Sequence, residues 1–433
     1  MNIAIIGAGI GGMAAAHDFV NAGHKVTIFE AAAAAGGLAA GFKDEKWDWS
    51  VEHFYHHWFQ KDHDILGLID ELGLKDKVFF PLPKTVVYYK GEFYPLDSAR
   101  AALTFPGFSL IDMARFGFVT VYLRYLAGWK PLEKVTAHEW MRKYYGEKLY
   151  RVHFEPLLEG KFGPYYKDVN MAWFWARFKA RSTRLGTFEG GFQAFSDLFA
   201  DDLRRRGVDI RLSTPVERIE PLAGGKIKLH LPGGNSEVFD RCLVTVGPGL
   251  LARMAPDLPQ DYLQGLLNLK SMGAVVLVMA LKHQLSEKGY YWFNLPKSAG
   301  YPFLALVEHT NFVSPEHFGG DHIVYAGDYL EAGHEYFDLT KEELLERLLP
   351  KMTSFNPKFS PDWVRKTWLF RTAYAQPVPL VNHSQNIPAI ETPLEGLYFA
   401  SMSQVYPWDR GTNFAVQIAR KAASQMMTDG SLK

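Results

Sequence analysis

A single cysteine, Cys242, stands in 433 residues, so no internal disulfide can form. It lies in the apolar run Cys242-Leu243-Val244-Thr245-Val246 and reads as core, not as a nucleophile. Net charge is also missing, since 47 Lys and Arg balance 47 Asp and Glu. Nothing in that balance suggests nucleic acid or an anionic surface as a general partner. The short basic run Arg204-Arg205-Arg206 reads as a solvated last helical turn. No apolar stretch is both long and uncharged enough to span a bilayer; the nearest, Phe108 to Trp129, is interrupted by Asp112, Arg115 and Arg124. No basic region precedes Ile3, so the start does not read as a signal peptide, and the cytoplasm is the expected compartment. Internal repeats are absent, and Ala31–Ala35 is the one low-complexity stretch. There is no Gly-x-Ser-x-Gly elbow, no His-Glu-x-x-His helix and no P-loop, which removes the common hydrolase and phosphate-transfer classes. Four histidines (His53, His56, His57, His63) fall close together, but no cysteine or carboxylate completes a ligand set, so no metal is expected.

What is present begins almost at the first residue. Ile3-Ala4-Ile5-Ile6 reads as a buried parallel strand. Gly7-Ala8-Gly9-Ile10-Gly11-Gly12 then opens a helix of small residues, Met13 to Val20, which Asn21-Ala22-Gly23 stops. Val26-Thr27-Ile28-Phe29 reads as a second strand with Glu30 at its carboxyl end. Gly7 allows the sharp turn, Gly9 clears space for a pyrophosphate against backbone, and Gly12 allows close helix–strand packing. The N–H groups at the helix start, Ile10 and Gly11 among them, face the phosphates. Glu30 is placed for a ribose. The unit is a dinucleotide site.

Glu30 is followed by Ala31–Ala35 and then Gly36-Gly37-Leu38. This Gly pair after the ribose acid resembles the extended fingerprint of the amine oxidase superfamily of FAD enzymes. That group includes protoporphyrinogen oxidases and phytoene desaturases, with UDP-galactopyranose mutases as structural relatives. The family often has Arg where this chain has Leu38. Gly190-Gly191-Phe192, the helix with Phe195, Leu198, Phe199 and Leu203, and Thr214-Pro215-Val216 resemble the second FAD segment, in which Val216 would hold the adenine through its backbone. Gly396 to Ser401, followed by Gly411-Thr412-Asn413, resembles the closing segment, although Ser401-Met402 replaces the usual Gly and acid. The resemblance covers nearly the whole chain. It implies an α/β fold: an FAD-binding Rossmann-like domain made of residues 1–84, 186–268 and 378–433. An α+β substrate domain would be made of 85–185 and 269–377. Within the latter, Thr85–Tyr89 and Glu92–Tyr94 read as a hairpin, and Ala274–Met279, Phe303–Glu308 and His322–Ala326 as strands. Thr136 and Thr340 read as capping-box residues.

FAD is the implied cofactor. The implied reaction is hydride transfer from an apolar or ring-bearing small molecule to flavin N5, by an oxidase, dehydrogenase or desaturase. A non-redox sugar-nucleotide mutase is the alternative, because His53-Phe54-Tyr55-His56 resembles a mutase stretch in which a histidine lies against the flavin. Candidate catalytic residues are His53 and His56, then Trp408 and Arg410 in the segment Tyr406 to Asn413, then Tyr374 with Arg371. In the Tyr406 to Asn413 segment Arg410 could hold a substrate anion or balance a reduced flavin, with Asp409 pairing to it or capping the helix. Glu308 to Asn311 reads as a turn or a substrate contact. Relatives acting on lipophilic substrates sometimes rest a helix such as Phe108–Trp129 on a membrane. Here the favoured reading is an ordinary helix walling the substrate site, in a monomer or homodimer.

Overall fold

The computed structural model describes residues 1–96, 101, 103–180 and 182–431; residues 432 and 433 of the third expected FAD segment lie outside them. Five parallel strands form one sheet in the order Asp209–Arg211, Lys25–Phe29, Asn2–Ile6, Arg241–Val244 and Leu397–Phe399. Both faces are covered, which is why these strands read as continuous apolar runs and do not alternate. Helices Ile10–Asn21, Gly191–Arg205 and Thr412–Ser431 cover one face. Ala15, Ala16, Ala419 and Ala422 lie in that layer, fully buried or nearly so, and small side chains let two helix axes approach closely. A three-stranded antiparallel sheet, Arg218–Pro221, Ile227–His230 and Ser236–Phe239, covers the other face with two short helices. Cys242 is fully buried there, and burial pushes its thiol pKa up. Of the apolar residues on the second of these helices Leu198 is exposed; Phe192 occupies the buried layer with Phe195, Phe199 and Leu203.

A seven-stranded sheet carries the substrate side. Its order is Val364–Pro377, Ser271–Leu281, His322–Leu330, Ala305–Glu308, Trp292–Asn294, Thr85–Tyr89 and Glu92–Pro95. All neighbours are antiparallel except Trp292–Asn294 with Thr85–Tyr89. The hairpin turns at Lys90 and Gly91, both at positive φ, as a two-residue turn matched to strand twist requires. Strand His322–Leu330 runs four residues beyond the expected Ala326. Full-length pairing, from Leu281 with His322 to Gly273 with Leu330, outweighs the strand-weakening Gly327-Asp328. One sheet face packs Val275, Leu277 and Met279 against helix Lys341–Met352, whose start carries the expected Thr340–Glu343 capping box. At Thr136 the expected capping box is half formed: its side chain accepts the Glu139 N–H. The other face, with Val276 and Val278, looks toward the dinucleotide half.

A helical lobe from Leu110 to Ala180 closes the third side. Its tie to the C-terminal segment is Asp409, not free to pair with the neighbouring Arg410 side chain. The Asp409 carboxylate accepts from Arg177 at 2.8 Å, Lys161 at 3.4 Å, the Trp173 indole at 3.1 Å and the Arg410 backbone N–H. Arg177 and Lys161 are both largely buried. Removing one partner of a buried pair strands the other charge. Asp409→Ala is therefore expected to cost about 3–5 kcal/mol in chemical denaturation; an unchanged midpoint would dismiss Asp409 as the clamp.

Candidate active site

The dinucleotide cradle is built by backbone. Gly7 sits at φ +107° and donates to the Phe29 carbonyl at 2.8 Å; a Cβ there would meet Thr245 Oγ1 at 2.7 Å. At Gly12 a Cβ would lie 2.0 Å from the Gly7 carbonyl oxygen, so helix and strand touch. The first intrahelical bond runs from Met13 N–H to Gly9 O, and no side chain caps the helix start. The N–H groups of Ile10, Gly11 and Gly12 thus precede the helical ladder and are ready for an anion. The Gly pair passes directly over this point. Gly36 N–H bonds the Ala8 carbonyl at 2.9 Å, and a Cβ on Gly37 would lie 3.1 Å from Gly9 Cα.

Glu30 accepts the N–H groups of Ala8 at 2.7 Å and Ala32 at 2.8 Å, and a carboxylate so held keeps lone pairs for ribose hydroxyls. Thr214 N–H bonds the Glu30 carbonyl, which brings the Val216 backbone alongside. The last helix begins at the same place: a Cβ on Gly11 would lie 3.1 Å from the Ala415 carbonyl oxygen, while Gly411 faces open space. These residues fit FAD. The side chains of Thr412 and Asn413 are engaged elsewhere. Thr412 accepts the Trp58 indole at 2.8 Å, and Asn413 accepts the Asp64 and Ile65 N–H groups, capping helix His63–Glu71. Their contribution to a cofactor would come from backbone at the helix start. The Ser401 hydroxyl contacts Tyr374 and Ser403.

Between this cradle and the seven-stranded sheet lies a small chamber with about 30 Å³ of free volume, room for roughly a single water. Leu38, the residue standing where an Arg is common, forms part of its wall with Phe54, Tyr55, His56, Val276 and Thr372. Its polar end is Arg410 with Tyr329. Arg410 Nε donates to Gln376 Oε1 at 2.8 Å, and a terminal nitrogen donates to the Tyr329 hydroxyl. Among the described residues Arg410 makes no ion pair. Tyr55 lies across Gly327, where a Cβ would come within 3.0 Å of the Tyr55 ring. Asp328 borders the chamber by strand position only. It pairs with Val275 on the far face, 3.5 Å from Lys297, and burial pushes its carboxyl up to about 7. His56 is held down to about 4 by burial, so it is neutral at ordinary pH. Its Nδ1–H donates to the Phe54 carbonyl, which leaves the Nε2 lone pair as an acceptor.

The structure separates the expected catalytic residues. His56 and Arg410 face the chamber. His53 does not, because its ring stacks on Phe370 at 4.2 Å beside Phe42. Trp408 also lies outside; it stacks on Phe414 at 5.7 Å and packs against Trp175. Tyr374 turns its ring onto Gly247 and its hydroxyl to Ser401 at 3.1 Å, so it belongs to the cradle wall. Arg371 points to the far face, donating to the Tyr336 and Leu339 carbonyls. Glu308 is a structural acceptor for Leu285 and Ser286 N–H groups. Tyr55 lies within the stretch His53 to His56 but is not a candidate there, and Tyr329 carries no motif; the one signal for Tyr329 is Gly327-Asp328-Tyr329, three residues that interrupt an apolar strand.

Glu52 lies under the start of helix Gly191–Arg205, accepting the Phe192 N–H at 3.0 Å. It is buried, and desolvation pushes its carboxyl up to about 7. The neutral form is therefore favoured in the fold. Its stabilising effect is complete below the unfolded value and is lost as pH rises through about 7. Glu52→Gln is expected to raise stability at pH 8 by about 2–3 kcal/mol and to change little at pH 5. Denaturation at the two pH values checks this, and equal effects at both would contradict it.

Residues 10–427 match the family described as flavin containing amine oxidoreductase. The chain belongs to that family and is an FAD-dependent oxidoreductase. Putrescine oxidase from Kocuria rosea is 23% identical over 486 aligned positions, covering 100% of this chain and 96% of that protein. The 15-cis-phytoene desaturase of Solanum lycopersicum is 34% identical, but over 108 residues that cover 23% of this chain and 18% of the desaturase. In fold the chain is similar to a reduced UDP-galactopyranose mutase, with a TM-score of 0.76 at 14% identity, covering 100% of this chain and 94% of that one.

Proposed function

We propose that the protein oxidises a small organic molecule with an apolar or ring-bearing body and an anionic group, and that Arg410 takes the anionic group. The observation that carries this reading is Arg410 itself: a guanidinium at the chamber's polar end, hydrogen-bonded to a neutral amide and a neutral phenol. The adjacent carboxylate, Asp409, is taken by Arg177 and Lys161. A planar guanidinium binds carboxylate or phosphate in two-pronged fashion and repels an ammonium. Bound FAD supplies the two-electron acceptor. The chain's own part is to hold and orient. Phe54, Val276 and Leu38 line the side that an apolar body would meet once the wall moves to admit more than roughly a single water, Gln376 fixes the Arg410 side chain, and His56 Nε2 is a neutral acceptor for a substrate proton.

Two probes of similar shape and opposite charge test the reading. Benzoate, titrated into the FAD-loaded protein, is expected to perturb the flavin absorption bands, and benzylamine is not. Perturbation by benzylamine alone would transfer the substrate class to amines. A response to sugar nucleotides alone would favour the mutase reading.

A further inference from the structure

Half of the exposed large hydrophobic side chains among the described residues fall in one short stretch. They are Leu103, Leu110, Ile111, Phe118, Val121, Tyr122, Tyr125 and Leu126, out of sixteen. Most belong to helix Leu110–Val121 and its continuation Tyr122–Leu126. That helix has two apolar faces. Val119 and Leu123 are buried in the lobe core, with Phe116 packed against them. The opposite face is bare: Leu110 is 83% exposed, Ile111 79%, Phe118 78% and Leu126 76%. Soluble surfaces rarely leave so many large apolar side chains contiguous without an occupant. The helix does not leave the surface, and no helix of the described residues is long and apolar enough to cross a membrane.

The charge around it points to one occupant. The whole chain is neutral, yet residues 101–180 hold 12 Lys and Arg against 7 Asp and Glu, and ten of those cations remain when Lys161 and Arg177, buried on Asp409, are set aside. Arg124 lies over the exposed Tyr125 ring, Lys130 follows the patch, and Lys143 lies over Tyr144. The one acid on the helix, Asp112, is engaged by Lys148 and the Ser109 cap. An apolar helix face edged by tyrosines and basic side chains matches the acyl–headgroup boundary of an anionic bilayer. A second copy would bring one basic lobe against another across a two-fold contact.

We infer that this helix lies in the surface of an anionic membrane, with Ile111, Phe118 and Leu126 in the acyl layer and Arg124 and Lys130 at the headgroups. The inference is independent of which substrate the chamber takes, because its test reads binding and not turnover. FAD-loaded protein is sedimented with vesicles of phosphatidylcholine alone or mixed with phosphatidylglycerol. It is expected to pellet with the mixed vesicles and to be partly released by high salt. The double variant Ile111→Asp, Phe118→Asp is expected to lower partitioning about tenfold or more, with flavin content and melting temperature unchanged. Two results would overturn the inference. One is a wild-type protein that stays in the supernatant with both vesicle types. The other is a solution dimer that the double variant converts to monomer.

Discussion

Gly9→Glu is expected to give a folded protein that purifies without flavin and takes up none when FAD is added. The two halves of that outcome have separate causes. Gly9 has φ −69° and ψ 170°, a conformation any residue adopts and the usual one at a helix N-cap. A Cβ there would find nothing closer than Gly37 Cα at 3.9 Å. The chain therefore tolerates the side chain, and a carboxylate near the helix start suits the dipole. The space it fills is the anion site in front of the Ile10, Gly11 and Gly12 N–H groups, so a pyrophosphate meets both bulk and like charge. Gly12 provides the contrast. A Cβ at 2.0 Å from the Gly7 carbonyl oxygen forces helix from strand, and Gly12→Ala is expected to damage the fold itself. Flavin absorbance and circular dichroism on the two variants check the distinction. A Gly9→Glu protein with normal flavin content would move the cofactor away from this turn.

Arg410→Gln is expected to abolish the benzoate perturbation and to reduce kcat/KM for an anionic substrate by about a hundredfold or more, the usual scale for a lost charge-assisted, two-pronged contact in a closed site. Flavin content and stability should hardly change, because Arg410 is bonded to Gln376 and Tyr329 and no carboxylate is left stranded. That separates it from Asp409→Ala, which acts on folding through Arg177. Arg410→Lys should restore charge without the fork and recover only part of the activity. Unchanged kinetics in Arg410→Gln would reduce Arg410 to a packing residue.

The dinucleotide half was legible because its signals are local. Gly7, Gly9, Gly12 and Glu30 lie within one βαβ unit, and each has a steric or hydrogen-bonding task that backbone geometry alone dictates. The chamber was less legible because its wall is assembled from distant strands. His53 and His56 lie three residues apart, yet only His56 reaches the chamber; His53 is drawn into the aromatic group of Phe42 and Phe370. Tyr329 lies past the point where Gly327-Asp328 weakens the strand pattern, and only pairing with Ser271–Leu281 carries the strand that far. Trp408 is expected over the flavin from its position in the chain; stacking on Phe414 leaves it outside the chamber. Charge balance misled in a different way. The total of 47 against 47 conceals the excess of basic residues in the helical lobe, which becomes visible only when the lobe is separated as a unit. The same holds for Phe108–Trp129, where hydropathy cannot tell an inner apolar face from an outer one.

The central claim is that this chain holds FAD and uses it for electron transfer. The most direct measurement loads the protein with FAD, removes the excess by gel filtration, reduces it with dithionite and follows the flavin bands on exposure to oxygen and then to a quinone. The account predicts one flavin retained per chain, bleached by dithionite, with the bands returning in at least one of the two acceptors. A chain that emerges from the column colourless after incubation with FAD would contradict it.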